Sequence, residues 1–287
     1  MSYINVHWHP DQIMASKISK SLSISSWNVN GLFKRINGDR FCKLDENDFR
    51  NKITSDIVFM CETHASDRDT LYCNGYKHIT VCRSQEPSRA RGGLGVFIKH
   101  SISKGVQVMD KSNCEYIWLK LLKSFFGFNN DIYLCFAYIP PANSSYTIRT
   151  GLNKDIFDNM EESISRYSKK GDVIIMGDLN AHINESELDF ILHDANDKYD
   201  SFLPDDYVAD SVYCKRNTCI PQLTNTYGRN ILDICLNAQL RILNGRTLGD
   251  TGGKMTFLNA QGMAIDDYCI CSANILPSVL SFVVEDF

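Results

Sequence analysis

The run Asp172-Val173-Ile174-Ile175-Met176-Gly177-Asp178-Leu179-Asn180-Ala181-His182 decides how the chain is read. Its apolar half shows no polar alternation and stops at a glycine, the pattern of a strand buried on both faces. Just past the strand end stand a carboxylate and a carboxamide. Asp178 and Asn180 are two positions apart, so along extended backbone they share one face and can grip one water or one phosphate oxygen together. Taken alone, Gly-Asp-x-Asn reads more plainly as a turn whose Asp caps the next helix, and it is the neighbouring stretches that change this.

Immediately upstream, Leu152, Ile156, Phe157, Met160, Ile164 and Tyr167 fall on one helical stripe that ends at Lys169-Lys170-Gly171 and feeds this strand. Further upstream, Leu22-Ser23-Ile24-Ser25-Ser26-Trp27 is patterned as a strand and breaks into Asn28-Val29-Asn30-Gly31. Asp56-Ile57-Val58-Phe59-Met60-Cys61 is another buried strand, ending in Glu62-Thr63-His64. A series of short strands follows from Tyr76 to Leu122, and Asp131–Tyr138 is stopped by Pro140-Pro141. Downstream, Asn230–Leu240 is amphipathic and helical, Arg241–Arg246 is a short strand and turn, and Thr256-Phe257 and Asp267–Ser272 are the last strands. Residues 1–21 carry no clear period and are expected to form a poorly ordered extension, leaving 22–287 as one domain of many strands with a few helices outside them.

The composition agrees with such a domain. The chain has 287 residues, 44% hydrophobic and 22% charged, enough for a substantial core. No apolar run approaches the roughly 20 residues that cross a bilayer, and the start lacks a signal core, so an intracellular protein, nuclear or cytoplasmic, is expected. The eleven cysteines are odd in number and lie mostly in strand-like runs, which suits buried thiols better than disulfides. A net charge of -4 does not advertise a nucleic-acid binder. Locally, however, Lys77 to Lys104 holds six bases against Glu86, a balance of +5, and Asn184 to Asp210 holds nine acids against Lys198, a balance of -8. The first run can meet phosphates and the second would repel them; a solvated surface is the plainer reading of either.

Several buried strands therefore end in oxygen-bearing side chains: Asn28, Glu62, Asp178 with Asn180, and Asp267. Hard oxygen donors without a histidine or thiolate cluster suit Mg²⁺ or Mn²⁺ rather than zinc. The same acids and amides are also what caps and turns use.

In order and spacing, Trp27–Gly31, Cys61–His64, Arg91–Val96, Ala137–Pro140, Gly177–Asn180, Leu243–Arg246 and Asp267-Tyr268 resemble the endonuclease/exonuclease/phosphatase superfamily, and most closely the apurinic-type endonuclease domain encoded by non-LTR retrotransposons. The resemblance covers about residues 22 to 287. It implies a DNase I-like, two-sheet α/β sandwich with its site where the strand ends of both sheets meet. It implies a Mg²⁺-dependent hydrolase (Mn²⁺ as substitute) cleaving DNA, in a monomer or as part of a longer polyprotein with a reverse transcriptase, and no membrane partner. Carried over by position, Asn28 and Glu62 are metal-site residues, Asn30 stands where many relatives have an acid, Tyr138 contacts the scissile phosphate, Asp178 activates water and Asn180 holds the phosphate. Asp267 normally orients a histidine, with Asp266 an unusual neighbouring carboxylate. Arg89 and Arg91 flank the nucleic-acid groove. The family's terminal Ser-Asp-His and the core strand after it do not occur before Phe287, so a missing last strand, a bare sheet edge and weakened activity are expected. A non-catalytic nucleic-acid-binding remnant and an enzyme acting on a small phosphoester are the rival readings.

Overall fold

The computed structural model describes residues 3–8, 21–37, 39–83, 91–151, 155–191, 214–260 and 262–285. In chain order its strands are β1 (Tyr3–Trp8), β2 (Leu22–Asn28), β3 (Phe33–Ile36), β4 (Asp39–Cys42), β5 (Ile57–Cys61), β6 (Tyr76–Val81), β7 (Leu94–Lys99), β8 (Val106–Asp110), β9 (Tyr116–Leu121), β10 (Ile132–Tyr138), β11 (Asp172–Asp178), β12 (Leu240–Ile242), β13 (Phe257–Asn259), β14 (Gly262–Ala264), β15 (Asp267–Ser272) and β16 (Val279–Glu285). Twelve of these form two six-stranded sheets, ordered β16-β1-β2-β5-β7-β6 and β12-β15-β11-β10-β9-β8, and the other four form two hairpins, β3-β4 and β13-β14. This is the two-sheet α/β sandwich expected from the sequence.

Strand composition explains the layering. In β11, Ile174 and Met176 face the other sheet, while Val173 and Ile175 face the helices Ile156–Ser168 and Thr226–Asn237. In β5, Ile57, Phe59 and Cys61 join the core between the sheets, and Val58 and Met60 point outward to Trp27, Leu44 and Phe97. Both faces of these central strands are thus covered, which accounts for their unbroken apolar runs. Across the sandwich Phe59 stacks on Phe136 with ring centroids 4.9 Å apart. All eleven cysteines are free thiols, and no helix among the described residues is long and apolar enough to cross a membrane.

Three expectations need correction. Tyr3–Trp8 is not part of a poorly ordered extension: it runs antiparallel between β2 and β16, with Tyr3 opposite Trp27 and Glu285, and β16 is itself a strand beyond β15 where a missing last strand was expected. Its buried residues Ile4, Val6 and Trp8 form a core face only because strands flank it on both sides, and Tyr3 packs on the opposite face against Trp27. The downstream helix begins at Thr226, four residues early, because the Asn225 side chain caps it, accepting from the Gly228 N–H at 2.7 Å; Leu240 already belongs to β12.

Register then brings the strand ends together. β2 pairs parallel with β5, setting Asn28 beside Cys61, and β10 pairs parallel with β11, setting Tyr138 beside Asp178. β15 runs antiparallel to β11 with Asp267 opposite Asp178. Gly177 permits this close approach, since a Cβ there would lie 1.9 Å from the Ala137 carbonyl oxygen.

Candidate active site

The strand ends open into a cleft of about 300 Å³ lined by Asn28, Asn30, Glu62, Pro141, Asp178, Asn180, Thr256, Phe257, Asp266 and Asp267. Its centre is the Asn28 carboxamide. Asn28 Nδ2 donates to Glu62 Oε1 and to Asp178 Oδ2, both at 2.9 Å, and so ties a carboxylate of one sheet to a carboxylate of the other. Its Oδ1 accepts from the Asn30 N–H at 3.0 Å, which turns the amide the right way round. The Tyr138 hydroxyl donates to the same Glu62 oxygen at 2.9 Å. Asn180 donates to Asp178 Oδ1 from both its backbone (3.1 Å) and its side chain (3.0 Å), and its amide also reaches the Ile139 carbonyl at 2.9 Å.

The backbone is strained where these groups meet. Asn30, Glu62, His64 and Asn180 all have φ between 42° and 51°. Left-handed conformation costs a non-glycine residue free energy, and it is tolerated where surrounding contacts over-determine the chain. At Glu62 those contacts are the flanking hydrogen bonds Gly31 N–H to Glu62 O (2.7 Å), Thr63 N–H to Gly93 O (3.2 Å) and His64 N–H to Gly92 O (2.8 Å).

Charge in the cleft is one-sided. Burial, then the neighbouring charges of Asp267 and Asp266, push the Asp178 carboxyl well above its ordinary range against the opposing hydrogen bonds of Asn28 and Asn180. For Glu62 burial again raises the value, but hydrogen bonds from His64, Asn28 and Tyr138 outweigh it and hold the group low. Burial and the charges of Glu62 and Asp178 keep the Tyr138 phenol protonated at any ordinary pH. Two carboxyl groups far apart in sequence thus acquire opposite tendencies, an ionised one at Glu62 and a readily protonated one at Asp178, the separation that acid–base chemistry uses.

The described residues contain no group of three His, Cys, Asp or Glu side chains that forms a metal centre by itself. Mg²⁺ requires less than that, being held commonly by one or two carboxylates together with water and substrate phosphate. The all-oxygen donors of Glu62 and Asn28, beside the carboxyl groups of Asp178, Asp266 and Asp267, fit such an ion.

Asn28, Asn30, Glu62, Tyr138, Asp178, Asn180 and Asp267, expected from the sequence, therefore converge. Asp266 and Asp267 both line the cleft, the first with its side chain 2.9 Å from His182 Nε2 and the second in register with Asp178. His64 Nε2 lies 3.6 Å from Glu62 Oε2. Arg91 is exposed and stands outside the cleft lining, and Arg89 lies outside the described residues. Thr256 escaped the sequence reading: its buried hydroxyl accepts from the N–H groups of both Asp266 and Asp267 at 2.9 Å and so sets the aspartate pair. Nothing in a Thr-Phe dipeptide signals that role. The Leu243–Arg246 motif, one of those that carry the family resemblance, is internal scaffolding. Asn244 bridges the Asp267 carbonyl (3.0 Å) and the Cys269 N–H (3.2 Å), and Arg246 pairs with buried Asp189. The basic run also shrinks, because Arg83 is buried against Glu115 and Lys99 pairs with Asp56 at 3.0 Å.

Comparison with known proteins agrees with this geometry. Three solved structures share the fold. The AP endonuclease LMAP from Leishmania major has a TM-score of 0.56 at 15% identity, over 86% of this chain and 78% of its own. A 3'-5' exonuclease (NExo) from Neisseria meningitidis has 0.53 at 12%, over 92% and 98%. The APE2 catalytic domain from Xenopus laevis has 0.53 at 13%, over 89% and 83%. No curated protein sequence matches significantly. A sequence model of one family spans residues 25–283, nearly the whole sandwich and every cleft residue named above, and by that match the chain belongs to the endonuclease/exonuclease/phosphatase family.

Proposed function

We propose that the protein is a divalent-metal-dependent DNA endonuclease of the kind encoded by non-LTR retrotransposons, hydrolysing a phosphodiester by attack of water. The observation that carries the reading is the Asn28 bridge between Glu62 and Asp178, with the Tyr138 hydroxyl on the same Glu62 oxygen, at the floor of an open cleft. Glu62 and Asn28 would hold the cation, whose chemistry when bound is to neutralise phosphate charge. Asp178, raised toward neutrality by burial and by Asp266 and Asp267, is suited to take a proton from water as the new P–O bond forms and the ester P–O bond opposite it breaks. Asn180, its amide fixed between Asp178 and the Ile139 carbonyl, orients that carboxylate and stands ready for a phosphoryl oxygen. Phe257 offers an apolar wall at the rim, a surface suited to sugar and base faces.

The test is nicking of supercoiled plasmid in Mg²⁺ and in EDTA, beside release of phosphate from inositol phosphates. Metal-dependent nicking that Glu62→Ala removes supports the reading. Turnover of the small phosphoesters with intact plasmid would replace it with the small-substrate alternative, and tight DNA binding without turnover would replace it with a binding remnant.

A further inference from the structure

Arg83 follows β6 in the basic run, yet its side chain is only 9% exposed and its counter-ion Glu115 only 2%. A buried guanidinium–carboxylate pair is rarely the most stable filling for a core, because desolvating both charges offsets most of their attraction. This pair has unusual neighbours. The Arg83 guanidinium lies 5.3 Å from the Tyr138 ring centroid and 4.2 Å from that of Tyr146. Tyr146 donates its hydroxyl to Glu115 Oε1 at 2.8 Å, and the Tyr138 N–H donates to the Glu115 carbonyl at 2.8 Å. On its other side the guanidinium fills the space of a Cβ at Gly92, which would lie 2.2 Å from Nη1; Gly92 has φ +64° and its carbonyl accepts from the His64 N–H. The same planar cation therefore touches the loop that fixes Glu62-Thr63-His64, from one sheet, and the ring of Tyr138, from the other.

We propose that Arg83 is a positioning residue for Tyr138, the strut between the two sheets that keeps the Tyr138 hydroxyl on Glu62. The inference rests on the nuclease reading for its kinetic consequence, not for its structural one. Arg rather than Lys is needed, since a flat guanidinium can lie over two rings and pair with a carboxylate at once, and an ammonium cannot. Glu115 and Tyr146 hold the cation, the cation holds the ring, and the ring carries the hydroxyl. The residue acts through Tyr138 and has no contact with substrate in this arrangement.

The experiment pairs kinetics with tyrosine-ring NMR on the full chain. Arg83→Lys should lower kcat by about 10- to 100-fold, the scale of a small misplacement at a reacting centre, with KM within about twofold. In a Tyr138→Phe background the same substitution should change kcat less than about twofold, because the hydroxyl it positions is gone. Ring resonances of Tyr138, assigned by their loss in Tyr138→Phe, should shift in Arg83→Lys whether or not DNA is cut. An equal kcat loss in both backgrounds, or an unmoved Tyr138 resonance in a folded Arg83→Lys protein, overturns the proposal. If that variant does not fold, the paired replacement Arg83→Met with Glu115→Leu removes both charges; the Tyr138 resonance should shift there too, and its failure to move counts equally against the strut. Absence of nicking by the wild-type chain would sink the nuclease reading and leave the NMR result to decide this one.

Discussion

Two of the clusters of buried ionisable groups among the described residues are built on opposite plans. In the cleft, Glu62, Asp178, Asp266 and Asp267 crowd together, and the donors that reach Glu62 and Asp178 are mainly neutral, two carboxamides and a phenol. In the second cluster Asp189, fully buried, accepts from the Ile242 N–H at 2.7 Å and from Arg246 Nη2 at 2.5 Å, while its carbonyl accepts from buried Arg241 at 3.1 Å. There the counter-charge is part of the chain; in the cleft much of it has to come from outside. Burial of charge by itself is thus a poor marker of function. Burial that is open to solvent, one-sided in sign and backed by strained backbone is a better one.

The sharpest way to break this contrast is to remove one carboxylate from each cluster. Asp178→Ala should reduce nicking by about 10²- to 10⁴-fold, the range of a lost general base, while the protein stays folded by circular dichroism. Nicking at the wild-type rate would take Asp178 out of the chemistry. Asp189→Ala should do the reverse. It strands Arg246 in the core and should cost about 3–5 kcal/mol in urea unfolding, with kcat per folded molecule unchanged. A stable Asp189→Ala protein with impaired nicking would erase the distinction between a structural and a functional cluster.

What could be foreseen from sequence follows the same division. The central strands were legible because burial on both faces leaves no polar residue in Val173–Met176 or Ile57–Cys61, and the site was legible because each such strand stops at an acid or amide. β1 was not, since Asn5 and His7 interrupt its apolar residues and its core face exists only once β2 and β16 flank it. Nor was the direction of a charge. Arg83 and Arg246 count as bases in any tally of sequence, yet one is stacked on Tyr138 and Tyr146 and the other is enclosed with Asp189. Thr256 illustrates a third limit, a hydroxyl whose importance comes wholly from two backbone donors ten and eleven positions later.

A gentler perturbation separates charge from shape. The Asp178 carboxyl is raised in the folded protein by burial and by Asp267 and Asp266. A group whose folded pKa exceeds its unfolded one, about 3.9 for Asp, binds protons more readily when folded, so its ionisation destabilises the native state as pH rises from that value toward the folded pKa. In EDTA, Asp178→Asn should therefore melt with wild type near pH 4 and above it near pH 7, by about 2–4 °C for each 1 kcal/mol relieved. A melting difference that is the same at both pH values would mean that the substitution changes packing rather than charge.

The smallest effect concerns the DNA contact proposed for the basic run, and it compares two of its residues that differ in exposure. Of the basic run, Lys99 is held by Asp56 at 3.0 Å, whereas Arg91 is exposed at the start of the Gly92-Gly93 turn that braces Glu62. Each phosphate contact made by a basic side chain releases about 0.9 of a counterion, so losing one contact lowers the slope of log K against log salt by about 0.9. Arg91→Gln should accordingly weaken DNA binding at low salt, and the wild-type advantage should shrink about threefold between 50 and 200 mM salt. Lys99→Gln should leave the slope where it is, because its ammonium is engaged by a carboxylate within the protein, and its consequence should be a small loss of stability instead. Fluorescence anisotropy over a salt series measures both slopes. If Arg91→Gln parallels wild type while Lys99→Gln does not, the face presented to nucleic acid is the Lys99 side of the sheet, and the outward charge at Arg91 plays no part in holding the substrate.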